Sequence, residues 1–346
     1  MALGKRIGVV AAIMAFVLLV ASAGLYWLFD RVTSDAQERA VRPGWLDSLH
    51  AAGRAPDLAG LALERQGSGD GAALAYDSGA AWRPERDVTP LYGALTRHRP
   101  MTAADSGLWK RVAADGGLDR IVAYARMPRW DAAPRAAAGD STWVWGLRLP
   151  AFARLREAFE GLIVRAYWRS AHRDEAGARA DVGAVLALGE QMARREPTMP
   201  GTFFGRSWIR DGARACAELA GRGADTARAS RCTRLAAASG RPYFAIFGAL
   251  QARADTAALV AADAALPLGL RAEALQALAL HSLLRMRGLI FGPPRADIAR
   301  LQPFLTDRDA DLARMAAVTQ RTAERLRHMS IRNRLRAMGG TLRVAP

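Results

Sequence analysis

Apolar residues recur along the second half of the chain at the spacing of a helix face. Between Phe152 and Trp168 they fall at Phe152, Leu155, Phe159, Leu162, Ile163 and Ala166, which places them on one stripe of a helix. Val182, Val185, Leu186, Leu188 and Met192 repeat the pattern on the next segment. Helices are expected over Leu147 to His172, Asp174 to Arg195, Gly201 to Ala220, Asp225 to Ala238, Pro242 to Ala262, Leu268 to Phe291 and Asp307 to Ala337. Breaks are expected at Glu196-Pro197, Gly221 to Gly223, Gly240-Arg241-Pro242 and Gly292-Pro293-Pro294. Helices of similar length joined by such short breaks stack as antiparallel pairs, in the manner of a solenoid.

The first half is less regular. Pro43 and Pro56 each open a short amphipathic turn, the second carrying Leu58, Leu61 and Leu63. Gln66 to Gly71 reads as a flexible loop. No buried strand precedes its alternating glycines, which argues against a nucleotide-binding loop. Three prolines and mixed charge make Trp82 to Pro100 irregular. Short helices follow at Ala104 to Ala114 and Leu118 to Arg126. The Ala/Pro/Gly-rich stretch Asp131 to Ser141 is the best boundary inside the body. The expected organisation is a membrane segment over residues 1–30, an irregular short-helix region over 31–140 and a stacked α-helical domain over 141–346. The fold class is all-α, because alanine-rich sequence poor in β-branched residues favours helix.

One segment breaks the amphipathic pattern altogether. From Ile7 to Phe29 the chain holds 23 residues without a charge. At 1.5 Å per residue such a helix reaches across a hydrocarbon core of about 30 Å. Lys5 and Arg6 precede it, and Tyr26, Trp27 and Phe29 would lie at the far interface, where amphipathic rings prefer to sit. A retained signal anchor and a signal peptide cleaved after Ala21-Ser22-Ala23 both fit. The apolar residues Leu25, Trp27 and Leu28 beyond that site favour the anchor. Either way, basic residues before the first span hold the N-terminus inside. The body is then expected outside the cytosol, on a bacterial inner membrane with its soluble part periplasmic. In an oxidising compartment the only two cysteines, Cys216 and Cys232, are disulfide candidates. They flank a Gly-Arg-Gly turn between two helices, and no metal-ligand spacing accompanies them.

The segment Leu155 to Pro197 resembles a tetratricopeptide-type helix pair: a first helix with Tyr167-Trp168, an Asp-Glu-Ala turn at 174–176, an alanine-rich second helix, then Pro197. The body as a whole resembles membrane-anchored helical proteins common in bacteria. That resemblance implies stacked helix pairs and carries over no activity and no site residue.

Charge narrows the partners less than its size suggests. The net charge is +16, and 47 of the 49 basic residues are arginine, Lys5 and Lys110 being the lysines. Most arginines alternate with acids as solvated helix faces do, which argues against nucleic acid as the general partner. The C-terminal segment is the exception: Arg321, Arg325, Arg327, Arg332, Arg334, Arg336 and Arg343 accompany only Glu324. A basic amphipathic helix with Leu326, Met329, Leu335 and Met338 on its apolar side is a candidate surface for anionic lipid or an acidic partner. A terminal capping helix is the alternative. Trp143 and Trp145 form a candidate aromatic platform, although burial at the head of the stack is the favoured explanation, since Trp is highly buried on average. Catalytic, cofactor-binding and metal-ligating residues are expected to be none. The five histidines stand in no metal spacing, Gly-x-Ser-x-Gly is missing, and the paired acids at 174–175 and 307–311 sit at helix starts, where they cap free N–H groups.

The reading that follows is a membrane-anchored, non-catalytic helical interaction or scaffold protein, an accessory subunit of an envelope complex with a protein partner. Two alternatives stand beside it. One is an exported hydrolase or ligand-binding domain. The other is a cytoplasmic-facing binder of nucleic acid or anionic lipid through the Arg-rich C-terminus.

Overall fold

A computed structural model describes residues 57–77, 79–80, 82–84, 86–138, 147–239, 254–280 and 290–334. The expected membrane segment, with Lys5, Arg6, Tyr26 and Trp27, lies outside the described residues, as do Trp143, Trp145 and Arg336. Among the described residues no helix is long and apolar enough to cross a membrane.

The fold is all-α, and no strand is present among the described residues. Fourteen helices are described: α1 (Ala73–Tyr76), α2 (Thr89–Thr96), α3 (Ala103–Ala113), α4 (Gly117–Arg126), α5 (Ala132–Ala137), α6 (Phe152–Ala171), α7 (Glu175–Arg195), α8 (Met199–Arg222), α9 (Thr226–Ser239), α10 (Ala254–Ala262), α11 (Leu268–Leu280), α12 (Arg295–Ala299), α13 (Gln302–Leu305) and α14 (Ala310–His328). The long helices begin on side-chain caps. Asp174 accepts from Gly177 N, Thr198 from Gly201 N, and Asp309 from the N–H groups of Asp311 and Leu312. Thr102 and Asp105 form a reciprocal capping box at α3.

Helices α6 to α9 pack each against the next. The α7–α8 pair is the tightest, because two glycines face each other across it. A Cβ on Gly205 would lie 2.5 Å from Ala193 N and 2.6 Å from Gly189 O, so the two backbones touch where any other residue would part them. Sequence-distant packing is superimposed on this succession. Helix α4 lies on α7, α2 and α3 on α6, α8 on α11, and α5 on α14. One hydrophobic core therefore runs from Leu58 to Leu326, with Trp130, Phe159, Leu162 and Ile163 fully enclosed.

Two irregular stretches expected from the sequence are helical. Thr89–Thr96 forms α2 despite its proline, since Pro90 occupies the first turn, where its missing N–H costs nothing. The expected boundary at 131–141 contains α5, whose Ala132, Ala133 and Ala136 are buried in the core. Its composition reflects close packing: only small side chains fit between α1 and α14. The glycine loop at 66–71 is fastened on both sides, by Gln66 N to Arg126 O at 2.7 Å and Gly71 N to Arg129 O at 3.0 Å. The expected final helix over 307–337 ends at His328. Met329 is extended (ψ 151°), and a separate short turn follows at 331–334.

Candidate functional site

At the turn joining α7 to α8, segments far apart in the sequence meet. Pro197 disfavours the helical conformation at the residue before it, and Glu196 is extended (ψ 125°). Its side chain is fully buried. Tyr76 Oη donates to Glu196 Oε1 at 2.5 Å and Thr198 Oγ1 to the same oxygen at 3.1 Å, while Trp130 Nε1 donates to Oε2 at 3.4 Å. These donors come from residues that sequence reasoning passed over, and from a proline break read only as a break. On the far side, α11 presses onto the turn through Gly269, where a Cβ would lie 2.2 Å from Thr202 Oγ1 and 2.8 Å from Glu196 O.

Among the described residues no hydrogen-bonding cation faces this carboxyl. Burial pushes Glu196 up to about 7, although its three donors favour the charged form. Burial beside Glu196 also drives the Tyr76 phenol well above its ordinary value, so it stays protonated and donates. Glu196 is enclosed on every side and serves as an internal tie.

Next to it a depression of about 420 Å³ opens to solvent, lined by Arg194, Arg195, Leu266, Arg271, Asp309 and Asp311. Arg271, itself buried, donates to Asp309 at 2.5 Å and to Ala261 O at 3.1 Å, which ties the end of α10 to the start of α14. Arg194 and Arg195 are exposed on one wall. Asp311 stands opposite, its carboxyl raised by burial and by the neighbouring Asp309 and Asp131, and held down by Arg314 and Arg195. The depression thus carries both signs of charge. It suits a polar segment with complementary groups better than a simple anion.

A second charged centre has a buried pair, Arg165 and Asp181, at its heart. Arg165 places two nitrogens on Asp181, at 2.7 and 3.0 Å, and a third on Asp119 at 2.7 Å. Arg169 approaches Asp181 at 3.1 Å. This network joins α4, α6 and α7, with Asp119 at its solvent-exposed edge.

The candidate cysteines are joined: the Cys216–Cys232 disulfide pins α8 to α9, with Cα atoms 5.9 Å apart and both residues buried. A cleft of about 150 Å³ lies beside it, lined by Ala178, Val182, Cys216 and Leu219 with Arg179 and Arg228 at its mouth.

The candidate basic surface divides. Arg321, Arg325 and Arg332 are exposed and Arg327 is half-buried. Arg334 does not belong to that surface. It is buried, donating to Leu326 O at 2.7 Å, Ile290 O at 2.5 Å and Arg327 O at 3.3 Å. The reason is local. Ser330 caps a new turn through Asn333 N, the chain reverses after α14, and Arg334 is carried back under the last carbonyls of α14, which lack intrahelical donors. Ser330 followed by Asn333 was the available signal for that break.

Among the described residues no group of three or more His, Cys, Asp or Glu side chains is placed to hold a metal ion. The chain matches no protein-family model, no curated protein and no solved structure.

Proposed function

We propose that this chain is a membrane-anchored helical interaction protein, its stacked body presented to a protein partner outside the cytosol as a non-catalytic subunit of an envelope assembly. The observation that carries this reading is the use made of the buried ionisable residues. Glu196, Arg165, Asp181 and Arg271 each tie separate segments of the body together, and the first three are sealed from solvent. Charge of both signs gathers instead at the rim of the depression, on the exposed Arg194 and Arg195 and the half-buried Asp311, a surface suited to setting the register of a docked chain. The charge-free run at 7–29 supplies the tether.

The test is co-purification of the full chain in mild detergent after reversible crosslinking. A stable protein partner is expected in stoichiometric yield, with at least tenfold less recovered from an Arg194→Glu, Arg195→Glu variant. A clean, partner-free monomer from both proteins overturns the reading. A reporter fused after Pro346 tests the topology: activity only in a cytoplasmic format removes the exported placement.

A polar depression of this size also favours a second reading, an exported ligand-binding domain. Saturable binding of a small zwitterion at this rim, in place of a protein, would select it.

A further inference from the structure

Four large apolar side chains stand exposed among the described residues, and three of them gather at one corner. Phe291 is 71% exposed, Ile331 45% and Ile290 40%. Their neighbourhood follows from the buried arginine. Arg334 binds Ile290 O together with Leu326 O and Arg327 O, so the helical residues 290–291 and the end of α14 form one unit. Gly292, at φ +77°, lies directly on α14; a Cβ there would be 2.7 Å from Arg327 Cα. Ile331 sits one turn before Arg334 on the short helix at 331–334. The same corner carries Arg327, against which Gly292 packs, and the exposed Arg332 next to Ile331. Within 321–334 the one acid is Glu324, which accepts from Gln320 at 3.2 Å.

An aromatic ring and two isoleucines held in the open among arginines match a bilayer interface in chemistry and arrangement. The apolar groups can enter the headgroup–acyl boundary, and the guanidinium groups can bind lipid phosphate in bidentate fashion. Guanidinium suits this better than ammonium, being weakly hydrated and forked. We propose that this corner, Ile290, Phe291 and Ile331 with Arg327 and Arg332, docks the body onto an anionic lipid surface. The docking would give the protein a second, reversible attachment beside its anchor. The proposal rests on the anchor only for proximity, since the tether raises the local concentration of lipid at a patch of modest intrinsic affinity.

The experiment uses the full chain carrying Phe291→Cys labelled with a nitroxide, with Lys110→Cys as the control position; the native cysteines are both in the disulfide. Accessibility to a water-soluble nickel complex is measured with vesicles of phosphatidylcholine alone and with 30% phosphatidylglycerol. Accessibility at position 291 is expected to fall at least threefold in the anionic vesicles and that at 110 to stay the same. The fall should vanish in the Arg327→Gln, Arg332→Gln background and at high salt, with unchanged circular dichroism. Equal accessibility in the two lipids overturns the proposal, as does a fall that survives loss of the arginines. Release of the chain by alkaline carbonate would remove the anchor reading while leaving the nitroxide result interpretable, because the chain can then be added to vesicles from solution.

Discussion

The two ends of the helical body spend their arginines and their apolar surface differently. Across 57–239 no large apolar side chain stands exposed among the described residues, and Arg165, the more deeply buried of the two buried arginines described there (the other is Arg206), neutralises acids from neighbouring helices. Across 254–334 occur all four exposed large apolar residues found among the described residues, and the buried arginines Arg271 and Arg334 both donate to backbone carbonyls near helix ends, Arg271 pairing with Asp309 as well. The first region also carries the disulfide. One is built to hold its shape; the other is built to keep an irregular surface in place. A run of like charges therefore conveys little until each member is assigned to the inside or the outside.

The largest test of this contrast is Arg165→Ala. It strands Asp181, which is wholly buried, with Arg169 as its remaining cation. The expected loss is about 3 kcal/mol in urea denaturation, the scale for leaving a buried charge unpaired. A loss under about 1 kcal/mol would show that the first region does not depend on its buried ion pair.

Glu196 comes next. Its folded value of about 7 lies above the ordinary 4.5, so the folded state holds the proton more tightly. Its contribution is therefore complete below about pH 4.5 and declines as pH rises to about 7, by at most about 3 kcal/mol. Glu273 in α11, also raised to about 7 by burial, acts in the same window. Glu196→Gln should flatten roughly half of that decline in a series of melts from pH 4.5 to 7.5. A profile identical to the parent's would break the assignment of the turn as a proton-sensitive tie.

The smallest effect sharpens the other side. Arg334→Ala removes the donor to three carbonyls and should cost about 1–2 kcal/mol. Amide exchange should rise several-fold over 326–334 while amides of α7 and α8 remain as protected as before. Loosening of both regions together would mean that they are one cooperative unit, with no division of labour.

Much of the helical framework was legible. Helices α3, α4, α7 and α9 begin and end within a residue or two of the pattern-based expectation, because each is framed by a cap or a glycine break that acts locally. Helices α2 and α5 were not legible. Prolines and alanines carry little periodic signal, and what keeps those segments helical is packing against α6 and against α1 and α14. The candidate sites divide along the same line. The arginine run was visible as a composition, yet Arg334 reads like its neighbours until the break at Ser330 turns it inward. Tyr76, Trp130 and Glu196 are separated by 54 and 66 residues, and no local pattern connects them.

From sequence alone came the helical class, the limits of α3, α4, α7, α8 and α9 and the expectation of a tether at 7–29, because these depend on propensity, periodicity and capping within a few residues. The tertiary structure alone decided which polar groups are sealed, which arginine caps and which binds, and which apolar side chains remain in water. Those outcomes depend on desolvation, and desolvation is set by the segments that fold over a residue from elsewhere in the chain.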